Sequence, residues 1–328
     1  MPIARRDLLS LGLGFVTSTQ ILRPAAAEEN GEILVAYYGA LINVGPVAVA
    51  QELGEYAKAG VNVTGVVNSI GGGTAIRNMV GGGISYGIVG TSAALAAIRE
   101  GIDVKIVHGV IRTVQDLIWV TRPDSPVNSI HDLVGRKIAI TQPKSVSETM
   151  VNWMLELEGL SGKAELVALG SVGAGLSALE NGGVDAALIL EPLYSARRDR
   201  YKVAFTLDKL PPMMQMVGVA TGELIKTNPD RVRGAIKAWR AAVDYTYANP
   251  EEAGKIISKY YGEKTLPPAV ATTAVKNMAA IKYWSHAEIE LEAMRQWIKG
   301  MERQGEWQGE PDFKKIIDLS MLPPDMRT

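Results

Sequence analysis

Residues 75–90, AIRNMVGGGISYGIVG, and residues 175–190, GLSALENGGVDAALIL, carry one pattern twice at an offset of one hundred positions. In the first copy Ile76 and Met79 share a helical face, Gly82 and Gly83 stop the helix, and Ile84, Ile88 and Val89 form a short apolar strand. Leu176, Leu179, Gly182, Gly183, Val184, Leu188 and Ile189 repeat that order. Glycine tolerates the left-handed conformation that ends a helix, and a strand covered on both faces reads as an apolar run. Strand candidates precede each copy, Val61 to Val67 and Leu166 to Leu169, and the earlier strands Ile33 to Tyr37 and Lys137 to Ile140 recur at nearly the same spacing. The repeat therefore predicts an α/β chain of two β-α-β lobes with a cleft between them.

A chain of 328 residues exceeds the usual size of a single core, which agrees with two lobes. Lys and Arg number 34 against 35 Asp and Glu, a net charge of −1 that argues against a nucleic-acid surface or a polybasic membrane patch. Arg5 and Arg6 precede Asp7, Leu8 and Leu9, a mildly apolar stretch runs to Leu22, and Pro24 is followed by Ala25, Ala26 and Ala27. This is the form of a twin-arginine export signal over residues 1–27; an ordinary secretory signal would change the route and not the destination. The chain has no cysteine, so the exported protein holds no disulfide and no lipid-bearing cysteine. A freely diffusing periplasmic protein is expected.

Along the mature chain, strands alternate with helices, which predicts a mostly parallel sheet. The segment LIWVTR, 117–122, leads out of the first lobe, and Gln215 to Val219 leads back, so that 28–116 with 216–328 form lobe one and 117–215 form lobe two. Ser145 and Glu148 fit a capping box at the start of a helix. From Asn228 onward the period is helical, with expected helices over about 268–281, 287–303 and 311–319; this C-terminal quarter reads as a buttress rather than a site.

In open parallel sheets ligands sit beyond the carboxyl ends of strands, where helix N-termini present free N–H groups. Tyr37 to Leu41, Ser69 to Thr74, Gly90 to Ala93 and Gln142 to Ser147 qualify. Catalytic alternatives are poorly supplied. No phosphate-binding G-x-x-x-x-G-K-[ST] or G-x-S-x-G elbow occurs, and Gly170, Gly173 and Gly175 miss the dinucleotide spacing. His108, His131 and His286 lack metal-ligand spacing.

Four stretches resemble a known family: EYAKAGVNV (55–63), GIDVKIV (101–107), SIHDLVGRKIAI (129–140) and GGVDAALILEP (182–192). Through them the chain looks like a periplasmic solute-binding protein of the nitrate, sulfonate and taurine ABC-importer group, whose relatives include binders of aromatic acids, pyrimidines and thiamine precursors. The resemblance implies a type II periplasmic binding fold, in which two α/β lobes joined by two hinge segments close around a small solute and C-terminal helices complete the structure. It implies no enzyme activity and no cofactor, a monomer, and as partners a small-molecule solute and an inner-membrane permease with its cytoplasmic ATPase. A sensory binding subunit is the alternative that sequence leaves open. Enzymes that resemble this fold carry a cysteine-rich motif or a cofactor-bearing cysteine, which this chain lacks.

By the same resemblance, Tyr38, Ser69, Gly72, Thr74, Thr91 and Ser92 in lobe one, and Gln142, Ser145, Ser171 and Glu191 in lobe two, face the solute. Arg112 or Lys144 is the countercharge, and Tyr37 or Tyr38 supplies an aromatic wall. The first lobe departs from the pattern at Ser85, where the second has Asp185. Thr91 and Ser92 against Glu191 and Pro192 suggest a solute with two unlike ends: an anionic one toward lobe one and a donor near Glu191. Thr74→Ala and Thr91→Ala are expected to weaken binding without unfolding the protein.

Overall fold

The chain builds two sheets with one strand order. The computed structural model describes residues 31–37, 42–70, 72–143 and 145–327; the expected export signal, Tyr38 and Lys144 lie outside the described residues. The first half runs β1 (Gly31–Tyr37), α1 (Gly45–Glu52), α2 (Glu55–Lys58), β2 (Val63–Ile70), α3 (Gly72–Gly81), β3 (Tyr86–Gly90), α4 (Thr91–Arg99) and β4 (Val104–Ile111). The middle holds β5 (Ile118–Thr121), β6 (Lys137–Ile140), α5 (Val146–Leu157), β7 (Glu165–Ala168), α6 (Val172–Glu180), β8 (Ala187–Ile189), α7 (Leu193–Arg197) and β9 (Lys202–Phe205). Then come β10 (Met216–Thr221), α8 (Gly222–Thr227), α9 (Pro229–Ala248), α10 (Pro250–Tyr261), α11 (Pro268–Ala280), α12 (Leu291–Arg303) and α13 (Phe313–Ile316).

The first sheet is ordered β2-β1-β3-β10-β4. In the second, β8-β5-β9 and β6-β7 are joined by a parallel bridge between Ile138 and Ala186, which gives β7-β6-β8-β5-β9. In each, β-α-β units set the neighbouring strands parallel, β1 with β2 and β3, β6 with β7. One strand per sheet runs the other way: β10 is antiparallel to β3 and β4, and β5 to β8 and β9. These are the two strands that arrive from the other sheet.

The sequence repeat survives in backbone detail with a slip of one. Both repeat helices end with a six-residue closing bond, Ile84 N–H to the Met79 carbonyl at 2.8 Å and Gly183 N–H to the Ala178 carbonyl at 2.7 Å. The left-handed residue that makes this possible is Gly83 (φ 72°) in one and Gly182 (φ 74°) in the other.

Packing fixes the rest. In the second sheet the ring of Trp119 stacks on Phe205 with centroids 5.0 Å apart, and its indole N–H donates to the Ala139 carbonyl at 3.2 Å. In the first, buried His108 donates from Nδ1 to the Gly109 carbonyl (2.8 Å), which leaves Nε2 to accept the Tyr86 hydroxyl at 2.6 Å. Only glycine fits beneath that ring: a Cβ on Gly218 of β10 would lie 1.9 Å from His108 Nε2.

The C-terminal helices depart from the sequence expectation in two places. The helix expected over 287–303 starts only at Leu291, because residues before it pair with β4: Arg112 N–H donates to the Tyr283 carbonyl, Ser285 N–H to Val110, and Gly109 N–H to Ala287. Of 311–319, only Phe313–Ile316 is α-helical, and Ile317 bridges to Ile106. Non-local backbone pairing overrides the helical period in both.

Candidate functional site

Two chain crossings join the sheets, from β4 to β5 and from β9 to β10. Asp116 lies on the first and Gln215 on the second. Gln215 Nε2 donates to Asp116 Oδ1 at 2.7 Å, and the Tyr283 hydroxyl, from the segment paired with β4, donates to Oδ2 at 2.9 Å. Gln215 is pinned by its backbone, donating N–H to the Ile111 carbonyl (2.8 Å) and accepting from Thr91 N–H (3.0 Å).

This trio lines a cavity of about 30 Å³ with Asn43, Leu117, Thr141, Val146, Ser147, Val172, Leu188 and Leu190. That volume admits one or two water molecules, so an organic solute enters only when the sheets separate. The second-sheet wall carries a run of hydroxyls: Ser147 Oγ lies 3.0 Å from Thr141 Oγ1 and 2.8 Å from Ser145 Oγ, and it accepts Thr141 N–H at 2.9 Å. Val146 opens α5 and Val172 opens α6, so two helix N-termini reach the lining. The positive dipole ends of these helices favour an anion.

Among the described residues the lining contains no Lys or Arg. Burial raises the Asp116 carboxyl from 3.8 to about 7; the hydrogen bonds from Tyr283 and Gln215 oppose the shift, and the Glu191 charge adds to it. Tyr283 is held well above its usual value by burial and by Asp116. Among the described residues no group of three or more His, Asp or Glu side chains is placed to hold a metal ion.

The residues expected to face solute lie as follows. Tyr38 is outside the described residues. Gly72 and Thr74 sit in the first turn of α3. Ser69 is buried at the end of β2 and accepts from Asn78 Nδ2 at 3.1 Å. The Thr91 hydroxyl donates to the Met214 carbonyl, fully buried, and Ser92 follows it, buried, in α4. Arg112 pairs with Glu290 and, at 3.5 Å, with Glu288, and lines a separate groove with Thr113, Gln115, Asp208 and Pro211.

Gln142 occupies the turn after β6; Ser145 caps α5, accepting Glu148 N–H at 3.3 Å; Ser171 caps α6, accepting Ala174 N–H at 3.1 Å. Glu191, buried, accepts from Ser195 N–H (3.0 Å), Ser195 Oγ (2.9 Å) and, across to α11, Asn277 Nδ2 (2.8 Å). The cavity thus gathers the sequence neighbours of the expected second-lobe residues: Thr141 beside Gln142, Val146 and Ser147 beside Ser145, Val172 beside Ser171.

Asp116, Gln215, Asn43 and Tyr283 escaped sequence reasoning. A lone acidic residue directly before the apolar crossing strand was the available signal for Asp116. Tyr283 corrects the reading of the C-terminal quarter as buttress alone, since its hydroxyl reaches the cavity from the segment between two expected helices.

The sequence profile of a family described as NMT1/THI5 like matches residues 42–253. No curated protein matches the sequence. Among solved structures, the chain is similar to the alkanesulfonate-binding protein SsuA from Xanthomonas axonopodis pv. citri bound to MOPS, with 17% identity, 90% of this chain and 99% of that chain covered, and a TM-score of 0.69. The periplasmic nitrate-binding protein NrtA from Synechocystis PCC 6803 is 14% identical over 90% of this chain and 87% of that chain, with a TM-score of 0.71. The Candida albicans CA3427 gene product, described as having the generic periplasmic binding protein fold, is 15% identical over 87% of this chain and 94% of that chain, with a TM-score of 0.68. At these identities the likeness is one of fold: the chain has the periplasmic binding protein architecture of two α/β lobes.

Proposed function

Since the chain belongs to the NMT1/THI5-like family and has a periplasmic binding protein fold, we propose that it is the extracytoplasmic solute-binding component of an ABC importer. It binds a small organic anion, a sulfonate, a taurine-like compound or an aromatic carboxylate, between its lobes and delivers it to a membrane permease driven by an ATPase. The observation that carries this reading is the cavity at the two chain crossings between the sheets, walled by second-sheet hydroxyls and two helix N-termini. Lobe one comprises 28–116 and 216–328 in this reading, and lobe two 117–215. Its role is binding rather than catalysis, in the periplasm and as a monomer; among the described residues no helix is long and apolar enough to cross a membrane.

The mechanism is a population shift. A solute that touches both lobes stabilises the closed state by its differential affinity, and the permease reads that state. A micromolar dissociation constant needs about 8 kcal/mol, within reach of several hydrogen bonds in a desolvated pocket. A thermal-shift screen with sulfonates, nitrate, aromatic carboxylates and pyrimidines, followed by calorimetry, tests the proposal. Stabilisation by an organic anion supports it; a flat response to all four classes sinks it.

One observation favours a second reading within the same fold. The acceptor carboxyl of Asp116 suits the ring and exocyclic nitrogens of a pyrimidine, which would make the solute a thiamine precursor; preferential stabilisation by pyrimidines would select that reading.

A further inference from the structure

Resting on the reading of the cleft as an organic-anion site, we infer that Asp116 binds a positively charged nitrogen of the solute, so that the ligand is a small zwitterion whose ammonium end meets the chain crossing. Asp116 is only 6% exposed and lines the cavity. A carboxylate offers about four lone-pair sites, and the described contacts are three neutral donors, Gln215 Nε2, the Tyr283 hydroxyl and its own backbone N–H. Among the described residues no Lys or Arg lines the cavity, and the charge acting on Asp116 is another carboxylate, Glu191. Glu191 is engaged by Ser195 and Asn277 and is not among the lining residues, so Asp116 is the acid of the described lining.

A purely structural role does not account for an acid. Tying Gln215 to Tyr283 requires an acceptor, and a neutral amide would supply one without the expense of burying an ionisable carboxyl. The charge has a use when a cation arrives: a buried carboxylate binds an ammonium through a charge-assisted hydrogen bond, stronger than a neutral one. The opposite pole is already built, because Val146 and Val172 bring the starts of α5 and α6 to the same lining. A solute with an anion at the helix starts and an ammonium at the crossing would span both sheets, which is the geometry that drives closure.

Two matched pairs test the inference by calorimetry on the intact protein: taurine against propanesulfonate, and para-(aminomethyl)benzoate against para-ethylbenzoate. Each pair exchanges an ammonium for a methyl of similar size and keeps the anion. In the wild type, the ammonium member of the pair that binds is expected to be tighter by about tenfold or more. In Asp116→Asn that preference should fall below about threefold, with the anion contribution retained. Equal or tighter binding of the methyl members by the wild type overturns the assignment without any variant. So does a preference that survives in folded Asp116→Asn. If neither pair binds a protein that still melts cooperatively, the organic-anion reading fails and this inference fails with it. Tight binding of the amine-free members alone removes only the role of Asp116.

Discussion

The two sheets share a strand order and use their polar strand ends differently. At the end of β3 in the first sheet, Thr91 turns its hydroxyl inward to the Met214 carbonyl and its N–H to Gln215, which fastens the returning chain. At the end of β6 in the second, Thr141, Ser145 and Ser147 form a linked hydroxyl run beside the cavity. Glu191, at the end of β8, is engaged by Ser195 and Asn277. The asymmetry expected from sequence, hydroxyls from lobe one and a carboxylate from lobe two, is replaced among the described residues by hydroxyls from the second sheet and a carboxylate at the crossing. Equivalent topology thus fixes where a polar group stands and not what it faces.

The largest test sets the buried acid of the crossing against the buried imidazole of the first sheet. Asp116 is raised from 3.8 to about 7, so the stability it lends is full below pH 3.8 and lost as pH climbs through 7. By the shift this is about 4 kcal/mol at most. His108 is lowered by burial from 6.5 to about 4, so its contribution is present above pH 6.5 and lost as pH falls through 4. Urea unfolding across pH 4 to 8 should show the stability of Asp116→Asn rising relative to wild type from about pH 4 to 7 and levelling above. A difference that does not change with pH removes the buried-acid account.

Next in size is a pair of glycines. Gly218→Ala drives a Cβ to 1.9 Å from His108 Nε2 in the first sheet, whereas Gly175→Ala in α6 meets its nearest neighbour, Ala139 Cβ, at 3.4 Å. The first should lose about 3 kcal/mol of stability and the second gain up to about 1 kcal/mol from helix propensity, read from denaturant midpoints. Equal effects would mean that the first-sheet core yields more readily than its packing suggests.

A third pair separates fastening from binding. Thr91→Ala should lower stability by about 1–2 kcal/mol by leaving the buried Met214 carbonyl without its donor, with affinity nearly unchanged. Ser147→Ala should weaken solute binding about fivefold by breaking the hydroxyl run, with a smaller loss of stability. The reverse pattern would restore the sequence expectation that Thr91 faces solute.

The smallest effect lies at the outer contact between lobes. Asn277→Ala removes the donor that links α11 to Glu191, and α11 packs on α9 and α10, which pack on α1 of the first half. Small-angle scattering should show a slightly larger radius of gyration, and affinity should fall about threefold through a less populated closed state. An unchanged radius and affinity would mark the contact as incidental to closure.

Much of the fold was legible because its signals are local. The helix stops at Gly83 and Gly182, the cap at Ser145 and the apolar runs of β3 and β8 each follow from a few adjacent residues. The site was less so. Its polar centre joins Asp116 to Gln215, 99 positions away, and to Tyr283, 167 positions away, and no periodicity links such positions. Tyr283 was further hidden because it lies between two expected helices, in a segment whose pairing with β4 no local pattern announces.

By itself, the sequence determined that this is an α/β chain of two similar lobes with small and hydroxyl-bearing residues at the strand ends, since hydrophobic period, glycine stops and caps act over a few residues. Tertiary structure alone decided which strand of each sheet runs antiparallel, which hydroxyls are consumed as fasteners, and that a carboxyl would be buried where the chain crosses between the sheets. Those outcomes depend on which distant groups arrive to satisfy a buried donor or acceptor, and that is settled only when both sheets are in place.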